Sequence, residues 1–307
     1  MTTTFSARGK LLISGEYFVL DGALALALPT QPGQQLELQA LEGRTPRLYW
    51  QSLDHEGERW FEAVFRLPDL SLLESSDPTM GERLASLLQA ARQQAPDFLS
   101  TSQSLLATTR LDFPRLWGLG TSSTLVHLLA SWAQVDPFQL LAATFGGSGY
   151  DIACAAAKGP ILYQRREGQP WSQPVDFHPP FKDQLYFVYL GQKQNSREGI
   201  ARYRARKQEL AQPLKAINAL TEQMLHCSQL ADFEALIREH ETLVAQHIGL
   251  PKAYDRYFSD YWGAVKSLGA WGGDFVLLSS ARSEAETSAY CNEKGFGLFM
   301  KYRDLIL

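Results

Sequence analysis

Between Gln34 and Leu41, Leu36, Leu38 and Ala40 alternate with polar residues, the period of a half-buried strand. Leu24 to Pro29 is a short apolar run. Arg47–Leu53, Trp60–Arg66 and Ser104–Leu111 carry the aromatic and threonine content of strands. Before the last of these, Leu84, Leu87, Leu88 and Ala91 make a helical stripe. Helical patterns follow near Thr124–Ala133, Pro137–Thr144 and Asp151–Ala157, and Ile161–Tyr163 reads as a strand. Pro170, Pro174, Pro179 and Pro180 then interrupt a stretch that is neither helix nor central strand. A domain boundary is expected there, giving domains 1–175 and 176–307. The second half predicts a strand at Gln184–Leu190 and helices at Arg197–Ala211, Pro213–Cys227, Ala231–His247 and about Asp255–Ser267. A strand (Asp274–Ser279), a helix (Glu284–Lys294) and a strand (Gly297–Tyr302) close the chain. Helices beside antiparallel-looking strands predict an α+β fold in both halves.

Composition narrows the function. At 307 residues, with 45% hydrophobic and 20% charged residues, the chain can bury a sizeable core. A net charge of −4 leaves no electrostatic footprint for nucleic acid. The three cysteines are far apart and form no Cys-x-x-Cys pair, so a cytoplasmic protein without structural zinc or disulfides is expected. Glu16 and Asp21 interrupt the apolar stretch after Lys10, which argues against a signal peptide. No run is long and uncharged enough to span a membrane.

The chemistry concentrates in three segments rich in small residues: Gly9–Tyr17, Gly118–Ser123 and Gly269–Asp274. Gly118-Leu119-Gly120 precedes three consecutive hydroxyls, Thr121, Ser122 and Ser123, and opens an apolar helix. Glycines let backbone amides approach a ligand, and a helix N-terminus favours an anion, most often phosphate. The plainer reading is a tight turn with Thr121 as N-cap, which accounts for one hydroxyl. The P-loop signature, the dinucleotide fingerprint and the protein-kinase catalytic loop are all absent. His240-Glu241 lacks the second histidine of a metalloprotease helix, so His240 and His247 are expected on a solvated face.

The three segments together resemble the three motifs of the GHMP small-molecule kinases. Ala7-Arg8-Gly9-Lys10 through Leu20 is similar to the first, Pro114–Ser123 to the second, and Gly269–Gly273 to the third, in the same order along nearly the whole chain. Within the family, Glu16-Tyr17, Gly147-Ser148-Gly149-Tyr150-Asp151 and Asp274 look most like phosphomevalonate kinase, with mevalonate kinase next. There are departures: Arg8 stands where the family has proline, Thr121 replaces its first serine and Trp271 a glycine. The metal-binding glutamate of mevalonate kinases has no counterpart, since no carboxylate lies between Pro137 and Asp151.

The resemblance implies a two-domain GHMP kinase fold, its N-terminal half like ribosomal protein S5 domain 2 and its C-terminal half ferredoxin-like. It implies ATP and Mg²⁺ as cofactors and a small anionic acceptor of the mevalonate pathway as partner. Neither nucleic acid nor membrane is implied, and the assembly is a monomer or homodimer. A lyase resembling diphosphomevalonate decarboxylase, and a catalytically silent nucleotide-binding relative, are the alternatives. Gly118, Leu119, Gly120, Thr121, Ser122 and Ser123 match the ATP loop, with Ser122 as metal ligand. Asp151 matches the aspartate beside the phosphoryl acceptor and Lys10 its lysine neighbour. Taken by themselves, Asp151 could equally cap a helix and Lys10 could be a surface residue. Arg8, Glu16, Tyr17, Ser148, Asn195, Ser196, Gly272 and Gly273 are candidate substrate contacts. Of these, Ser196 reads as well as a helix cap, and Arg8 as a solvent-facing arginine.

Overall fold

The computed structural model describes residues 2–42, 45–192, 196–206, 209–269 and 271–307, the side chains of Ser196 and Arg197 excepted. Asn195 and the side chain of Ser196, both expected substrate contacts, lie outside the described residues. The chain forms two compact units. Unit 1 comprises Met1–Gly9, Pro32–Arg115 and Gly120–Ala156, and unit 2 comprises Lys10–Gln31, Leu116–Leu119 and Ala157–Leu307. The units therefore do not follow a single cut in the sequence. Two long strands, β1 (Thr2–Ser14) and β2 (Ala25–Leu41), contribute residues to both.

In unit 1 the strand order is β5-β4-β3-β6-β2, with β3 Arg47–Leu53, β4 Arg59–Arg66, β5 Leu72–Ser75 and β6 Ser104–Leu111. In this order β3 and β6 run parallel, and β2–β6, β3–β4 and β4–β5 are antiparallel. The sheet turns Leu36, Leu48, Trp50 and Phe65 into a core shared with α1 (Pro78–Gln94), α2 (Thr121–Ala133), α3 (Pro137–Thr144) and α4 (Tyr150–Ala156). Asp77 and Asp136 cap α1 and α3, each followed by proline at the first helical position, where the missing N–H costs nothing.

In unit 2, Ala25–Ala27 of β2 pair with β7 (Ile161–Arg166), which pairs in turn with β8 (Gln169–Pro174). Pro170 and Pro174 thus sit in an edge strand, where a lost donor is tolerated. A separate antiparallel sheet has the order β10-β11-β9-β12, with β9 Leu185–Tyr189, β10 Val265–Leu268, β11 Phe275–Ser279 and β12 Phe299–Lys301. Helices α5 (Ser196–Ala205), α6 (Ala211–His226), α7 (Leu230–Ile248), α8 (Ala253–Tyr257), α9 (Glu284–Glu293) and α10 (Tyr302–Leu305) complete the unit.

The helix expected over Asp255–Ser267 does not form. Only the short α8 forms, ending at Tyr257, and β10 begins at Val265. Phe258 and Tyr261 are buried in an aromatic cluster, and a Cβ on Gly263 would lie 2.0 Å from the Ser279 carbonyl, so the chain threads this stretch in an irregular path. The strands expected at Leu24–Pro29 and Gln34–Leu41 are one continuous β2. Pro32 and Gly33 do not break it, because a Cβ on Gly33 would lie 2.1 Å from the Ala7 carbonyl: glycine is needed for this close approach. Among the described residues no helix is long and apolar enough to cross a membrane.

Candidate functional site

The second glycine segment is positioned differently at its two ends. In unit 2, Gly118 (φ 69°) lies against Asp274, whose carboxylate oxygen would sit 2.3 Å from any Cβ at that position. Lys10 binds this end twice. Its backbone N–H donates to the Leu119 carbonyl at 2.9 Å and its Nζ to the Gly118 carbonyl at 2.8 Å. Lys10 is only 9% exposed, so it is no surface residue. The Tyr189 hydroxyl donates to the Leu116 carbonyl at 3.2 Å, and Trp117 meets Phe275 edge-on.

In unit 1, Gly120 (φ 98°) is the N-cap of α2 and Thr121 its first helical residue. No side chain caps the helix, which removes the reading of Thr121 as N-cap. The Ser123 hydroxyl donates to the Gly120 carbonyl at 2.9 Å, and Thr124 Oγ1, 3.1 Å from the same carbonyl, donates to Oε1 of buried Gln34 at 2.6 Å. Ser122 is left exposed at the helix start. The result is an N-terminus braced against β2, its dipole uncapped by side chains and an accessible hydroxyl beside it, an arrangement suited to an anion.

Asp151 stands in the first turn of α4, half-buried, and its Oδ1 accepts the Ile152 N–H at 3.1 Å. Gly146, Gly147 and Gly149 before it have φ of 67°, 112° and 90°, a path closed to most side chains. Ser148 lies half-buried within this turn. Arg8 is exposed on β1 in unit 1. The main chain of Gly272 and Gly273 is buried in unit 2 next to Asp274, whose N–H donates to the Gln192 carbonyl at 2.7 Å.

Glu16 and Tyr17 are buried, 2% and 9% exposed. Glu16 belongs to a charged cluster inside unit 2. Lys266 Nζ donates to Glu16 Oε1, to Glu241 Oε1 at 3.3 Å and to the Ser267 carbonyl at 3.1 Å. Glu241 Oε2 accepts from Ser267 Oγ at 3.0 Å. His240 Nε2 accepts the Gly15 N–H at 3.1 Å and lies 3.2 Å from Glu16 Oε2. His240 is therefore fully buried, not solvated, and His247 packs edge-on against Phe18 at 4.9 Å. The signal lay in the helix period: Phe233, Ile237, Val244 and Ile248 of α7 are buried, and positions 240 and 241 fall on the same stripe.

Burial drives the titration of this cluster. Loss of hydration, reinforced by the Lys266 charge, holds His240 well below the ordinary imidazole value, so it is neutral. Desolvation raises Glu16 against the pull of Lys266, and raises Glu241 to about 7. A carboxyl whose folded value exceeds its unfolded value binds more protons when folded, so its contribution to stability falls as pH rises through that window. The unfolding free energy of the wild type relative to Glu241→Gln should fall by on the order of a few kcal/mol between about pH 5 and pH 8. Urea unfolding across that range checks this; a constant difference would refute the raised carboxyl.

No protein-family model and no curated protein sequence matches this chain. Solved structures do, over nearly its full length, and they define a class: the chain is built on the fold of the GHMP small-molecule kinases. Mevalonate kinase from L. major, in complex with R-mevalonate, is 17% identical, with 98% of this chain and 95% of that one covered and a TM-score of 0.65. Streptococcus pneumoniae phosphomevalonate kinase, in complex with phosphomevalonate and AMPPNP, is 17% identical over 98% of this chain and 99% of its own, with a TM-score of 0.68. Lactococcus lactis galactokinase, complexed with galactose, is 11% identical over 98% and 92%, with a TM-score of 0.69.

Proposed function

We propose that this protein is an ATP-dependent small-molecule kinase of the cytoplasm, transferring phosphate to a small anionic acceptor of the mevalonate pathway, phosphomevalonate first and mevalonate second. The observation that carries the reading is the start of α2: a 13-residue helix with no side-chain cap, entered through Gly118-Leu119-Gly120 with both glycines at positive φ. The likeness of fold to mevalonate, phosphomevalonate and galactose kinases supports it.

Phosphoryl transfer needs positioning and charge neutralisation more than covalent chemistry. In this reading the amides at the start of α2 hold ATP phosphate oxygens. Lys10, anchored on the Gly118 carbonyl, sets the loop and adds positive charge near it. Asp151 accepts the proton of the acceptor hydroxyl. Among the described residues no three His, Cys, Asp or Glu side chains gather as a metal site. The exposed Ser122 hydroxyl would be the protein's ligand to Mg²⁺, an ion that commonly keeps several waters. Bound Mg²⁺ supplies charge neutralisation at the phosphates.

Incubation with Mg-ATP and a panel of acceptors, following ADP, phosphate and carbon dioxide, tests the proposal. ADP should form with an anionic mevalonate-pathway acceptor and no carbon dioxide with it. Release of carbon dioxide would instead identify a lyase on the same fold. A catalytically silent relative is the reading favoured by Trp271, a buried indole where the family has glycine. ATP binding by calorimetry without turnover on any acceptor would establish it.

A further inference from the structure

Tyr17 is fixed on several sides inside unit 2. Its φ of 63° is a left-handed conformation that a tyrosine keeps only where its surroundings dictate it. One residue back, Glu16 is held by the buried Lys266 ammonium. The ring of Tyr17 stacks on Tyr203 at 5.9 Å, and Gly199 of α5 lies so close that a Cβ there would meet the phenol oxygen at 2.5 Å. The hydroxyl accepts the Trp271 backbone N–H at 3.1 Å. The Trp271 indole donates to the Pro251 carbonyl at 2.8 Å, so that residue is held by both main chain and side chain. Beyond it the chain passes through Gly272 at φ 83° to Asp274 at φ 51°, whose carboxylate fills the space beside Gly118.

We propose that Tyr17 is a positioning residue, not an acceptor contact: its hydroxyl, backed by the Glu16–Lys266 pair, sets the main chain of Trp271-Gly272 and, through Asp274, the Gly118 end of the phosphate loop. The catalytic part of this inference rests on the kinase reading above. A displaced loop costs rate even where ligands still bind, because transfer depends on alignment more than on affinity.

The test uses Tyr17→Phe, which removes only the hydroxyl, in the full chain. The Trp271 amide should exchange with deuterium about 10-fold faster or more, while Tm stays near wild type. In turnover with Mg-ATP, kcat should fall about 10-fold with the KM of both substrates within about twofold. Gly199→Ala, which presses on the ring from another helix, should reproduce both effects with Tyr17 in place. Because both variants act through one contact, adding Gly199→Ala to Tyr17→Phe should do little more. Unchanged Trp271 exchange in Tyr17→Phe overturns the proposal. So does a raised acceptor KM at normal kcat, which would make Tyr17 a substrate contact. If the wild type forms no ADP with any acceptor, the kinase reading fails and the exchange measurement alone decides the positioning role.

Discussion

Asp151→Asn should lower kcat at least ~100-fold while ATP affinity stays close to wild type, the scale of a lost general acid–base group. The substitution keeps shape and removes only the charge and basicity. Asp151 lies in the first turn of α4 and accepts the Ile152 N–H, a bond that the asparagine carbonyl can also accept. The structural loss is then the carboxylate's attraction to the helix dipole, about 0.3–1 kcal/mol. A large fall in rate with a small fall in stability separates chemistry from capping. Steady-state kinetics on the reactive acceptor and calorimetry with ATP measure the two sides. Near-normal kcat would leave Asp151 as a helix-start residue and require another base.

Lys266→Met should cost about 3–5 kcal/mol of stability, the range for breaking a buried ion pair from one side. The Lys266 ammonium has three donors and three acceptors around it: Glu16, Glu241 and the Ser267 carbonyl. Without it, two carboxyls face each other near a neutral imidazole, with no positive charge to offset their burial. They would take up protons or draw in water, and either response loosens unit 2 where α7, β10 and the turn after β1 meet. Urea unfolding followed by fluorescence measures the loss. Adding Glu16→Gln and Glu241→Gln to Lys266→Met should recover most of it, since an uncharged cluster of similar volume no longer buries an unpaired charge. A Lys266→Met variant within about 1 kcal/mol of wild type would show that the cluster is hydrated and contributes little.

The glycine segments were legible because their requirement is local. Gly118 and Gly120 need positive φ wherever the rest of the chain goes, and so do Gly147 and Gly149 before Asp151. The kinase fold followed from their order and is borne out by the solved structures that share it. The charged cluster was not legible, because its members come from distant parts of the sequence. Glu16 meets residues of α7 and β10 more than 200 positions away, and a charged residue carries no sign in the sequence of where its partner lies. His240 and Glu241 were legible only through the apolar stripe of Phe233, Ile237, Val244 and Ile248 around them, which their own polarity masks. The absence of the helix expected over about Asp255–Ser267 has a different cause. Phe258, Tyr261 and Val265 recur at helical spacing, but they fill a cluster shared with Tyr290 and Phe296, and tertiary packing overrides the period.

The interleaving of the two units bears on how the chain is made. Thr30 bridges Ile306, the Leu307 N–H donates to the Pro29 carbonyl at 3.1 Å, and Gln31 donates to the Arg303 carbonyl at 2.8 Å. All of these contacts lie in unit 2 and join residues more than 270 positions apart in the sequence. At roughly 5–20 residues per second, the rings of Tyr17 and Phe18 wait on the order of ten seconds or more for Tyr203, and Phe18 longer still for His247. The residues of unit 1 are all present once Ala156 is made, whereas those of unit 2 extend to Leu307. The nascent chain therefore carries an exposed apolar segment until the later residues of unit 2 are made, and its yield in a cell depends on what shields that segment in the meantime.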